Sequence, residues 1–163
     1  MTPVLLGRIQ TRIFVTLFVG LPWTIVITPF QLLSTPDGYK LALSLDGGLD
    51  DAYKLTLAAL FITMVFGCIF WDPVYHLLMQ FRWEKDWPAF FNLLQFFPEC
   101  LTTFLLLHIG ALNPVTAADG KPYVPVLAYL FLFFSTWIIT WLAANGPMKI
   151  FFVRWRFFGG RLV

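Results

Sequence analysis

Residues 13–33 read IFVTLFVGLPWTIVITPFQLL, an unbroken run without a charge. A helix that crosses the hydrocarbon layer of a bilayer needs about 20 such residues. Arg8 and Arg12 precede the run, in the order expected of a secretory leader. The run is too long for a leader's apolar segment, however, and no small-x-small cleavage site follows it. It is therefore expected to be retained as a first membrane helix.

Three further segments have the same character: residues 55–71, 89–112 and 125–144. Pro22 and Pro29 lie inside the first run and Pro98 inside the third. Each proline removes a backbone donor and tends to kink its helix, which a membrane tolerates where neighbours satisfy the freed carbonyl. The expected fold class is an all-α membrane protein, a four-transmembrane-helix bundle forming one integral membrane domain over residues 1–163. Composition agrees. Of 163 residues, 59% are hydrophobic and 12% charged, against about 25% charged in a soluble domain. Mean hydropathy is +0.76. A net charge of +2 gives no footprint for nucleic acid.

The connections carry their own signals. Asp72-Pro73 after the second run reads as an N-cap followed by proline at the first helical position, and Asp86-Trp87-Pro88 repeats it. The second connection is expected to hold a short interfacial helix or a kinked extension of the second span. In the first loop, Tyr39, Leu41, Leu43 and Leu45 alternate with smaller or polar residues in a short strand-like pattern. Asn145-Gly146-Pro147 breaks the fourth run. Beyond it Lys149, Arg154, Arg156 and Arg161 are interleaved with aromatic residues, expected to form a basic membrane-surface tail.

Orientation follows from the distribution of basic residues, which accumulate on the cytoplasmic side. With the N-terminus inside and four spans, Arg8, Arg12, Arg82, Lys85, Lys149, Arg154, Arg156 and Arg161 lie inside, and Lys40, Lys54 and Lys121 outside. Asp37, Asp46, Asp50, Asp51 and Asp119 also fall outside. Trp71, Trp83, Trp87, Trp141 and Trp155 then gather near the inner interface, where aromatic belts form. Both termini are expected in the cytoplasm, and the expected location is the plasma membrane, specifically a bacterial inner membrane.

Glu99 is the one acid inside an expected span. A carboxylate at the bilayer centre costs on the order of 3 kcal/mol on insertion scales, so it is expected to face protein or water. Asn92, Gln95, Glu99, Thr102 and Thr103 share one face of the third helix, an intramembrane polar stripe. Thr63, Ser135, Thr136 and Thr140 are candidate partners for it. Ala59, Thr63 and Gly67 form a small-residue run that permits close helix approach. With every Lys and Arg placed outside the spans, no ion pair within the chain is expected for Glu99. Three roles stay open: a protonated packing residue, a pair with another subunit, or a proton or cation site.

Other candidates carry less chemistry. His76 and His108 fall at opposite ends, which excludes a shared haem or metal, and Cys68 and Cys100 differ in depth by more than a disulfide spans. No metal or cofactor is expected. Asp72, Tyr75, His76, Arg82, Glu84 and Lys85 could form a cytoplasmic docking surface, but no nucleophile accompanies them, and no enzymatic activity is expected. The expected function is that of a structural or assembly subunit of a larger membrane complex. Its partners would be the lipid bilayer and other membrane-protein subunits or further copies of itself. The alternative is a homo-oligomeric proton- or cation-coupled transporter or channel using Glu99.

Overall fold

The computed structural model describes residues 4–30, 48–81, 89–110, 112–115 and 124–152. All regular structure among them is helical. Helix α1 runs Leu5–Phe30 and α2 runs Leu49–Gln80. The third arm is α3, Ala89–Leu94, followed by α4, Phe96–His108. The fourth is α5, Val126–Asn145, followed by the short α6, Pro147–Phe151. Three stretches are long and apolar enough to cross a membrane: Leu5–Phe30, Leu49–Gln80 and Val126–Phe151. The chain is a membrane-embedded helical protein.

Successive arms pack side by side and antiparallel. Thr28 of α1 lies 3.1 Å from Thr56 of α2 through their hydroxyls. Thr63 of α2 meets Thr103 of α4 at 3.0 Å. The Tyr129 hydroxyl of α5 donates to the Cys100 carbonyl of α4 at 2.8 Å, and the Trp23 indole of α1 donates to Ser135 of α5 at 3.3 Å. The last contact closes the ring of four arms. The apolar core sits toward one end, where Ala52, Leu55, Ala59 and Ile62 of α2 meet Leu107, Ala128, Tyr129 and Phe133. The opposite end is held by charge.

Four prolines shape the helices, each through its missing N–H and its clash with the carbonyl four residues earlier. Ahead of Pro22, residues Thr16–Gly20 widen into a π turn, and the Leu21 amide reaches back five residues to Thr16. Ahead of Pro73, Gly67–Trp71 do the same, with the Asp72 amide bonding to Gly67. Pro98 coincides with a break at Gln95 that separates α3 from α4. Pro29 leaves the Ile25 carbonyl without its helical donor, and the Tyr53 hydroxyl of α2 donates to that carbonyl at 3.0 Å. Replacing Tyr53 with Phe is expected to cost about 0.6 kcal/mol, the mean for interhelical hydrogen bonds in membranes. In a Pro29→Ala background, where the amide at 29 returns, the same change should cost nothing. Thermal unfolding in detergent reads both.

Several expectations are corrected by the structure. Asp72-Pro73 does not start a helix: Asp72 is itself helical, at φ −64° and ψ −41°, and α2 continues through it as the kinked extension. The expected helix over 89–112 is two helices, ending at His108, with Gly110 at φ 80° just beyond. Spans one and two are longer than 13–33 and 55–71 allowed, because counting charge-free residues stops at Arg12 and Asp72, and both lie inside their helices. The strand-like stretch 39–45 lies outside the described residues.

Candidate functional site

The end of the bundle away from the apolar core is built around one guanidinium. Arg12 projects from α1 one turn before the first π turn. Its Nε and Nη2 donate to the two carboxylate oxygens of Asp72, both at 2.9 Å. Its Nη1 and Nη2 donate to the two oxygens of Glu99, at 2.6 and 2.9 Å. Four of the five N–H donors of the planar guanidinium are thus spent on two carboxylates from two other helices. Side-chain exposure is 13% for Arg12, 4% for Asp72 and 1% for Glu99.

Each carboxylate stands beside one of the proline-linked irregularities. Asp72 directly follows the π turn Gly67–Trp71, and Glu99 lies one turn past the break at Gln95. A π turn adds one residue and so rotates the remainder of its helix by about 100° relative to an ideal helix. The inward positions record that rotation. On α2 they run at steps of four through Ala59, Thr63 and Gly67, then step by five to Asp72, followed by Tyr75 and Met79. On α1 they step by five from Val15 to Gly20, then go on to Thr24 and Thr28.

Gly67 gives the guanidinium its seat. A Cβ at Gly67 would lie 2.5 Å from Nη1, 2.7 Å from Cζ and 2.9 Å from Nε of Arg12. The small-residue run therefore serves a side chain at this position, and Thr63 one turn away serves the hydroxyl contact with Thr103. Around the cluster, the Arg8 guanidinium donates to the Met79 sulfur at 2.8 Å. Trp71 stacks on Tyr75 with ring centroids 5.4 Å apart and donates its indole N–H to Thr102 at 3.1 Å. In formal charge, Asp72 and Glu99 match Arg8 and Arg12.

The polar stripe faces the interior. Gln95, Glu99 and Thr103 are buried, while Asn92 and Thr102 are partly so. Of its expected partners, Thr63 is brought to it. Ser135 instead accepts from Trp23, the Thr136 methyl packs near Gly20, and Thr140 donates to carbonyls of its own helix. The expectation that Glu99 lacks a cation within the chain is overturned by Arg12. So is the docking surface in part: Asp72 and Tyr75 are buried, because they face the guanidinium, and His76 is partly buried. Arg82, Glu84 and Lys85 lie outside the described residues, as do Arg154, Arg156 and Arg161 of the tail. Lys149 is exposed on α6 and reaches Asn145 at 3.3 Å. Cys68 and Cys100 are free thiols, and His108 stacks on Phe104.

Chemically, the site can clamp three helices through one guanidinium and two carboxyl groups. Among the described residues no group of three or more His, Cys, Asp or Glu is placed to hold a metal. Comparison with protein-family models, with curated proteins and with solved structures finds no match.

Proposed function

We propose that this chain is a four-span protein of a bacterial plasma membrane, with both termini cytoplasmic, that acts as a non-catalytic structural or assembly subunit of a larger membrane complex. One observation carries the reading. Both oxygens of Glu99 already accept hydrogen bonds from Arg12 of the same chain. The costliest group in the bundle is thus spent on holding α1, α2 and α4 together, and the arrangement suits a preassembled unit better than a vacant ion site. The third arm supports the span count: residues 89–108, although broken at Gln95, rise about 30 Å at 1.5 Å per residue. With Arg8 and Arg12 taken into the bundle, the six-to-three excess of the remaining basic residues on one side supports the orientation.

A second reading, a homo-oligomeric proton- or cation-coupled transporter, is favoured by one feature. Asp72 and Glu99 share a single guanidinium, so protonation of either leaves Arg12 held by the other. Purification from native membranes in mild detergent separates the two. The assembly reading expects a defined set of other membrane proteins to co-purify, and a Glu99→Gln protein to retain them. A chain that purifies alone and drives proton or cation flux in proteoliposomes, with the flux abolished by Glu99→Gln, would establish the transporter.

A further inference from the structure

Beyond Asp72 and Arg12 the bundle continues toward its charged end with its polarity reversed. The inward face of the α1–α2 pair there carries Arg8, Asp72, Tyr75 and Met79, with Arg8 bonded to Met79. The outward face carries Leu6 on α1, 59% exposed, and Leu77, Leu78 and Phe81 from α2, at 55%, 52% and 81%. A helix pair in water turns its apolar side inward; this one turns it outward. Ile69 and Phe70 further along α2, and Ile150 and Phe151 of α6, are exposed as well.

From this geometry we infer that lipid covers the Leu6, Leu77, Leu78 and Phe81 face. The Arg12–Asp72–Glu99 cluster then lies within the apolar slab and not at its edge. Two independent features fix the occupant as lipid. Leu6, Leu77 and Leu78 lie within the two stretches of α1 and α2 that are long and apolar enough to cross a membrane, and Phe81 directly follows the second. The signs of an inner interface begin in the sequence immediately past Phe81, at Arg82, Trp83, Lys85 and Trp87, as basic and aromatic belts do. Length agrees: from Leu55 to Phe81 the helix rises about 40 Å, the thickness of a bilayer with its headgroup zones. The inner boundary of the second span therefore falls near Phe81, nearly three turns beyond where the charge-free run ends.

The inference rests on the chain being membrane-embedded, and a reference site separates the failure of one from the failure of the other. Nitroxides are placed at Leu78→Cys, at Val26→Cys and at Asp50→Cys, each in a Cys68→Ala, Cys100→Ala background, in vesicles of phosphatidylethanolamine and phosphatidylglycerol. Collision with oxygen, which concentrates among acyl chains, is compared with collision with a water-soluble nickel chelate. Position 78 is expected to match position 26, with oxygen dominant, and to differ from position 50. Nickel dominance at 78 with oxygen dominance at 26 overturns the inference, as does low collision with both reagents at 78, which would mean that protein covers the face. Nickel dominance at 26 overturns the membrane reading itself. The unmodified protein supplies a second test in the same vesicles with a diazirine-bearing phospholipid. Tagging of residues 77–81 comparable to that near Val26 is expected, and tagging near Val26 without any at 77–81 overturns the inference.

Discussion

Arg12→Met is expected to destabilise the bundle by about 3–5 kcal/mol, the range for removing one partner of a buried ion pair. The change leaves two carboxylates, at 4% and 1% exposure, facing one another without the guanidinium that joins them. Their hydrogen bonds account for only part of the loss. The larger part is the charge left uncompensated where water does not reach. The effect should therefore depend on what else is changed. Adding Arg8→Met, Asp72→Asn and Glu99→Gln to Arg12→Met removes the four charges together, and the combined variant is expected to recover most of the loss, since neutral replacement of a whole buried network is often close to neutral. Equilibrium unfolding in mixed micelles reads the comparison. A combined variant no more stable than Arg12→Met would show that packing around residues 8 and 12, and not charge, holds this end together.

Gly67→Ala should be nearly as damaging for a different reason. The added methyl would occupy the space of the guanidinium itself, within 2.5 Å of Nη1. Most overpacked sites relax by moving the far end of a flexible side chain. Here that end is tied by hydrogen bonds to carboxylates on two helices, so relief requires breaking them. A loss of about 1–3 kcal/mol is expected from overpacking, together with part of the Arg12 effect. Gly20→Ala is the matched control. Its Cβ would meet Leu60 Cδ1, the end of a flexible side chain, at 3.3 Å and the methyls of Thr140 and Thr136 at ordinary contact distances of 3.5 and 3.7 Å, and its cost should be well below that of Gly67→Ala. The two effects at the seat should also fail to add, as expected for residues in contact. In an Arg12→Met background, Gly67→Ala should cost far less than in the native chain. Equal costs in both backgrounds would remove Gly67 from the account.

Glu99 illustrates how far the sequence carries. An acid in an apolar run must face something polar, and the spacing of Gln95, Glu99 and Thr103 identified the inward face of the third arm. Arg12 was misplaced for an equally physical reason. Standing at the edge of a charge-free run, it has the ordinary explanation of a cytoplasmic flank. Asp72 before Pro73 has the ordinary explanation of a cap. Both explanations are local, and the interaction that replaces them spans 60 and 87 residues of chain. A helical wheel of constant pitch also fails past residues 67–71. The step of five from Gly67 to Asp72 is what turns Asp72, Tyr75 and Met79 inward, and Pro73 was the available sign of it.

Hydrophobic runs, their lengths and their prolines are properties of neighbouring residues, because bilayer thickness and backbone hydrogen bonding act on each segment alone. They suffice for a helical chain embedded in lipid and for where its helices are irregular. Which charges end up neutralised depends on how the arms are set against one another. Coulomb attraction at 2.6–2.9 Å exists after three helices have met and not before, and periodicity tells which side of a helix is polar without telling what stands opposite. The arginine clamp, the glycine that seats it and the reversed collar beneath it belong to that second level.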